Sequence, residues 1–219
     1  MYQFQVSEIF KSIDGEGKRA GAPCTFIRLV GCNLRCSYCD TAYAFTRDST
    51  TQIMTTTEIT EQTDRFGISN VTLTGGEPLL HRTQALELVD MLKQHGHEVN
   101  IETNGAIRLD DIPRDNSTSF FTMDWKSRSS GMADKMIESN LDALLPRDVL
   151  KFVVGTQEDL DNMCQVLGTH DIKAQVFVSP VWGQMNLLDM TQFVLNNNIN
   201  ARVQVQLHKL IWAPDARGV

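Results

Sequence analysis

Seven short β-rich runs punctuate this sequence, and most are separated by stretches with helical spacing. That alternation restricts the fold more than any single residue does. The runs are TFIRLV (25–30), VTLT (71–74), EVNIET (98–103), SFFTMD (119–124), VLKFVV (149–154), AQVFVS (174–179) and ARVQVQL (201–207). Helical patterns fall at 55–66, 82–96, 156–168 and 186–198. In the second, Leu86, Val89, Leu92 and Lys93 keep helical spacing and Gly96 marks a stop; the third opens on Thr156 with acidic first-turn residues and ends at Gly168. Strands separated by helices make βαβ units and a mostly parallel sheet. About six such units predict an α/β fold, an open or incomplete TIM-like barrel. No linker or low-complexity tract interrupts the chain, so one domain over residues 1–219 is expected.

Ligands of such folds bind outside the C-terminal ends of the strands. That rule gathers several polar motifs at one mouth: GCNLRC after the first run, TGGEP (74–78) after the second, ETNG (102–105) after the third, MDWKS (123–127) after the fourth, SP (179–180), and QLHK (206–209) at the last.

The first motif carries the chemistry. Cys32, Cys36 and Cys39 follow a C-x3-C-x2-C spacing within a loop at 31–41. With 5 cysteines in 219 residues, chance places on the order of 0.003 such patterns in the chain. Three thiols are one too few for a closed zinc site, which takes four ligands. A redox pair at Cys36 and Cys39 leaves Cys32 unexplained. Cys24 and Cys164 stand alone and read as small buried apolar residues; His81, His95 and His97 have no spacing that completes a zinc site. An iron–sulfur cluster fits the count, because three thiolates on four irons leave one iron open for chemistry.

Composition narrows the surroundings. The formal net charge of −7 gives no global field for nucleic acid or an anionic membrane, which favours a small-molecule partner. No apolar run is long enough to span a bilayer, and MYQFQVSEIFKSIDGEG lacks the basic and apolar regions of a signal peptide. A cytoplasmic location is expected, where thiols stay reduced and serve metals before disulfides.

The cysteine loop, with Tyr38 before the last cysteine, and the run Gly75, Gly76, Glu77, Pro78 together resemble the radical S-adenosylmethionine (SAM) superfamily. The resemblance implies a [4Fe–4S] cluster on Cys32, Cys36 and Cys39, with SAM on the open iron. Glycines let backbone approach the methionine moiety, and Glu77 is an acceptor for its ammonium group. The stretch FKSIDGEGKRAGAPCTFIRLVGCNLRCSYCDTAY and the tail QLHKLIWAPDARGV further resemble the 7-carboxy-7-deazaguanine synthases. That family converts 6-carboxy-5,6,7,8-tetrahydropterin to 7-carboxy-7-deazaguanine with loss of ammonia, on the route to queuosine and other 7-deazapurines, using SAM and Mg2+.

Position by position, the resemblance implies that Tyr38, Cys39, Asp40, Gly76, Glu77, Glu102, Asn104, Asp124, Trp125 and Lys126 border SAM. Thr41 is a hard oxygen ligand for Mg2+. Ile13, Asp14, Gly15, Glu16, Arg28, Thr74 and the terminal Val219 border the substrate, with Arg28 as carboxylate partner. Two positions depart from the family pattern. Asp14 stands where relatives carry Gln, and Asp124-Trp125-Lys126 stands where they carry Ser-Pro-Lys. An external flavodoxin- or ferredoxin-like electron donor and a homodimer are implied too. A glycyl-radical-enzyme activase shares the loop and the Gly-Gly-Glu-Pro turn; the IDGEG segment, Arg28 and the tail argue against it. A non-enzymatic zinc module is the remaining alternative.

Overall fold

A computed structural model describes residues 2–112 and 119–219 of the chain. Its strands are β1 (Gln3–Ile13), β2 (Pro23–Leu29), β3 (Gln52–Thr55), β4 (Asn70–Gly75), β5 (Glu98–Thr103), β6 (Ser119–Trp125), β7 (Val149–Val154), β8 (Gln175–Pro180) and β9 (Arg202–Val203). They form one sheet in the order β3-β1-β2-β4-β5-β6-β7-β8-β9. From β2 to β9 every neighbour is parallel, while β1 pairs antiparallel with both β2 and β3. No pairing joins β3 to β9 among the described residues, so the barrel is open.

Helices α1 (Thr56–Arg65), α2 (Arg82–Gln94), α3 (Ser139–Ala143), α4 (Gln157–Thr169), α5 (Leu187–Asn196) and α6 (His208–Ile211) complete the chain. Caps explain three of the starts. Thr55 with Glu58, and Thr156 with Asp159, form capping boxes, and Asn186 accepts from the N–H groups of Leu188 and Asp189. Gly96 follows the end of α2 as expected, at φ +88°. The expected stop at Gly168 is corrected: α4 runs through it to Thr169, because Gly168 does not leave the right-handed region. In α2 the buried face is Ala85, Leu88, Val89 and Leu92, a rotation from the expected stripe that leaves Leu86 half-buried.

Two strands lie outside the seven runs. β1 alternates Phe4 and Val6, both buried, with exposed Gln3 and Gln5, and β3 adds an outer edge to it. The run at 201–207 pairs at only two residues. Beyond them the chain turns to the mouth, where Gln204 receives a hydrogen bond from the Gly17 N–H (2.7 Å) and donates to the Gly17 carbonyl (2.9 Å).

The sheet has two unlike faces, and the period-two alternation of its strands creates them. Val71 and Leu73, Val99 and Ile101, Phe121, Met123 and Trp125, Leu150, Phe152 and Val154 belong to the hydrophobic core shared with the helices. Between them, Thr74, Glu102, Thr122, Asp124 and Lys151 line a cavity of about 480 Å3 on the concave face. That volume suits a small-molecule site.

Candidate active site

The cavity is walled by the loops that follow β1, β2, β4, β5 and β6, and by the C-terminal segment. Seventeen residues other than cysteines were expected at the site, and the fold brings fifteen of them to this one chamber. Ile13, Asp14, Gly15, Glu16, Arg28, Tyr38, Asp40, Thr41, Thr74, Gly76, Glu102, Asn104, Asp124, Lys126 and Val219 line it, as do Cys32, Cys36 and Cys39.

Glu77 and Trp125 do not line it. Trp125 falls in the same strand phase as Met123, which turns its indole into the helix-side core. Glu77 is buried beneath the wall. Its carboxylate accepts from the N–H groups of Leu79 (3.0 Å) and Asn104 (2.7 Å) and from the Thr103 hydroxyl. It thus ties the end of β5 to the turn after β4. Burial pushes its carboxyl up to about 7, against the pull of those hydrogen bonds.

The cysteine loop is braced from both sides. Ser37 donates from its N–H to the Ser130 carbonyl (3.0 Å) and from its hydroxyl to the Ser129 carbonyl (2.6 Å). Asn104 Nδ2 reaches Asn33 Oδ1 (2.8 Å) and lies 3.7 Å from Cys32 Sγ. Glycine is required at 76, where a Cβ would run into the Gly31 carbonyl and the Cys32 side chain. The glycine turn therefore serves first to seat the cysteine loop. Burial pushes the Cys32 and Cys36 thiols up, so a cationic centre is needed to hold them as thiolates. Among the described residues no three His, Cys, Asp or Glu side chains converge tightly enough to hold one metal ion. A cuboidal cluster asks for spread sulfurs, since each thiolate takes a different iron.

Charge is concentrated on the floor. Lys151 Nζ lies 2.8 Å from Glu16 and 3.7 Å from Asp124, and Lys126 Nζ lies 2.8 Å from Asp124. Burial opposes both ammonium groups, but Asp124 and, for Lys151, Glu16 outweigh it and hold them above the usual lysine range. Burial raises the Glu102 carboxyl; Lys151 offsets part of this, and the Thr74 hydroxyl donates to Glu102 at 2.8 Å. Asp124 Oδ1 is buried without a hydrogen-bond partner. It is an acceptor waiting for a polar ligand, and it fits the ammonium or hydroxyl donors of SAM.

Asp14 resolves differently from its neighbours. Its carboxylate turns from the chamber to Arg19 Nε (2.8 Å) and accepts from the Thr72 hydroxyl (3.0 Å). Arg19 continues to the carbonyls of Val71 and Glu98 (both 3.0 Å). The acid at this position is thus a buried strut under the loop, already paired, and does not confront a substrate carboxylate. Arg28, in contrast, donates from Nε to Glu8 Oε1 (2.7 Å), and its Nη groups donate to no acceptor among the described residues. The Tyr43 hydroxyl donates to the same Glu8 oxygen at 2.7 Å.

Several wall residues escaped sequence reading. Lys151 stands in the middle of an apolar run, in phase with Asp124 across the β6–β7 pair, so strand register was the signal for it. Phe10 and Phe26 stack at 5.2 Å beside Arg28, and Tyr43, Phe45 and Trp182 complete the wall, joined by His208 of the QLHK motif already placed at the mouth. Burial pulls the His208 imidazole below its usual range, so it is neutral near pH 7. Asp40 is held by Lys209 at 2.9 Å.

Residues 26–115 match the model of the Radical SAM superfamily. The chain is 39% identical to the 7-carboxy-7-deazaguanine synthase of Clostridium acetobutylicum over 99% of both chains. It is 40% identical to that of Methanospirillum hungatei, over 96% of this chain and 86% of the relative. The crystal structure of QueE from Escherichia coli superposes with a TM-score of 0.73 at 24% identity, covering 93% of this chain and 94% of that one. The open sheet, nine-stranded among the described residues, is the incomplete barrel that the alternation predicted.

Proposed function

From its place in the 7-carboxy-7-deazaguanine synthase family of radical SAM enzymes, to which this chain belongs, we propose the role of each cavity residue. The enzyme contracts the ring of 6-carboxy-5,6,7,8-tetrahydropterin to give 7-carboxy-7-deazaguanine and ammonia, a step of 7-deazapurine biosynthesis. It uses a [4Fe–4S] cluster and SAM. When bound, that pair supplies the electron and the hydrogen-abstracting radical chemistry.

Cys32, Cys36 and Cys39 hold the cluster as thiolates, and the bonds from Ser37 and Asn104 keep their loop from rotating away. Tyr38, Asp40, Gly76 and Asn104 would hold SAM along the chamber wall. Glu102 and the unpartnered Asp124 Oδ1 would accept from its donors, while Lys126 neutralises the second Asp124 oxygen. Glu77 and Trp125 act from behind the wall, one by fixing the Asn104 backbone and the other by packing β6. The pterin lies toward Ile13, Gly15, Glu16 and Thr74. Asp14 contributes backbone and rigidity. Arg28 offers its two Nη groups end-on to the carboxylate, because Glu8 already occupies Nε. Val219 closes the far side. Thr41 would supply a hydroxyl oxygen to Mg2+, a hard cation that takes oxygen ligands. A one-electron donor of the flavodoxin or ferredoxin kind, a single domain, a homodimer and a cytoplasmic location belong to the same proposal.

One observation carries this reading: the three cysteines and an arginine with a free end-on fork face the same chamber. The test is anaerobic incubation of the reduced, reconstituted protein with SAM, Mg2+ and the carboxytetrahydropterin, with products followed by mass spectrometry. Formation of the deazaguanine is expected. SAM cleavage without it overturns the substrate assignment, and stoichiometric zinc without iron overturns the cluster.

A further inference from the structure

Tyr43 touches both the carboxylate-binding side of the chamber and the C-terminal tail. Its hydroxyl donates to Glu8 Oε1 at 2.7 Å, the same oxygen that fixes Arg28 Nε. The guanidinium of Arg217 lies 3.9 Å from the centroid of its ring, and that of Arg28 lies at 5.9 Å. Tail residues 214–219 line the chamber yet lie mostly exposed, and Ala216 to Ala213 (2.9 Å) is a backbone bond made within the tail itself. A segment this lightly tied to the body needs a side-chain anchor, and a cation on an aromatic face is one.

We propose that Tyr43 is a positioning residue that couples the two: through Glu8 it sets the fork of Arg28, and through its ring it seats Arg217 and so closes the tail over the chamber. The part concerning Arg28 rests on the substrate reading above; the seat of Arg217 does not. Glu8 is the common stop. With both donors on one carboxylate oxygen, the phenol and the guanidinium cannot move independently. A carboxylate drawn onto the Arg28 fork steadies Glu8 and Tyr43, and thereby the landing site of the tail.

Trypsin reads the seat directly, because it must take the Arg217 side chain into its own pocket to cut after it. In cluster-loaded protein without substrate, cleavage after Arg217 is followed by intact mass and normalised to cleavage after exposed Arg65. Tyr43→Leu is expected to speed it about tenfold by removing the ring, and Tyr43→Phe, which keeps the ring but loses its bond to Glu8, severalfold. Glu8→Ala, which touches neither Arg217 nor the tail, is expected to speed it severalfold by loosening the ring. Wild-type rates in Tyr43→Leu overturn the seat, and wild-type rates in Glu8→Ala overturn the coupling. Turnover supplies the second arm. Tyr43→Phe is expected to raise KM for the carboxylated pterin about five- to tenfold with kcat changed less than twofold, since one hydrogen bond to a charged group is lost. An unchanged KM, or a fall confined to kcat, overturns the link to Arg28. Should the wild-type enzyme not turn over the pterin at all, the substrate reading fails, and the proteolysis arm still decides the seat and the coupling.

Discussion

Lys151 is the residue on which the charged floor of the chamber depends. It faces Glu16 and Asp124, and Glu102 lies within the reach of its field. Lys151→Met keeps the length of the side chain and removes the charge, leaving acids in a half-buried site. The expected loss of stability is near or below the lower end of about 3–5 kcal/mol, since the chamber admits water. The denaturant midpoint of the cluster-free protein measures it. Lys151→Arg is expected to recover most of the loss. Glu77 gives a pH signature. Its carboxyl is raised from an ordinary 4.5 to about 7. Below pH 4.5 both folded and unfolded states hold the proton. Between 4.5 and 7 the unfolded chain releases it first, so this group's contribution to stability falls as pH rises, then levels off above 7. Compared with Glu77→Gln at each pH, the wild type is expected to lose about 1 kcal/mol per pH unit across that window. A difference that grows with pH contradicts the assignment. Both residues also show what sequence could and could not reveal. Motif matching found Glu77 but not that its carboxylate is spent on Asn104 and Leu79. It passed over Lys151, which belongs to no motif and is marked only by register.

At the scale of elements, the strands were legible where both faces are covered. VLKFVV, EVNIET and VTLT are runs that only a parallel, two-sided sheet accommodates, and they lie in β7, β5 and β4. The edges were not. β1 is half polar because it lies beside the short outer strand β3, and its alternation of Phe4 and Val6 with glutamines is weaker than a buried run. The seven-residue run at 201–207 shrinks to two paired residues because, past the Gln204 N–H bond to the Val178 carbonyl, the chain turns to the mouth. The turn after β4 is the element on which the site depends most sharply. Gly76→Ala places a methyl against the Gly31 carbonyl, and backbone on both sides cannot yield as a side chain can. The variant is expected to fold, since the core lies on the other face, but to incorporate less than about a tenth of the wild-type iron, the shift of roughly 1.4 kcal/mol or more that an unrelieved clash brings. Iron and sulfide analysis after anaerobic reconstitution measures this. Full incorporation would show that the cysteine loop moves freely of the turn.

Across the whole molecule, the chamber and the hydrophobic core share a sheet but not a face. Apart from the charged floor at Lys151, stability and chemistry are therefore largely separable. Stripping the cluster under air and chelator is expected to leave far-UV circular dichroism unchanged. Faster amide exchange should be confined to 31–41 and to 126–132, which brace that loop. Collapse of the sheet on cluster loss would refute the separation. The alternation of runs was sufficient for the architecture because a parallel sheet with helices between its strands has few ways to pack. It also predicted that the barrel stays open, since about six units are too few to close one; what it did not show is the pair β1 and β3 that extends the sheet at its outer edge.

The gap that remains is filled by contact between distant parts of the chain: the Gln204 side-chain amide grips Gly17 through both its oxygen and its nitrogen, and the Leu207 N–H meets the Gly15 carbonyl at 2.8 Å. During synthesis the first of these partners leaves the ribosome long before the second. A nascent chain thus carries its cysteine loop and its glycine turn while one wall is still missing. The chamber gains that wall only once residues 204–219 have been made, well after the cysteine loop they enclose.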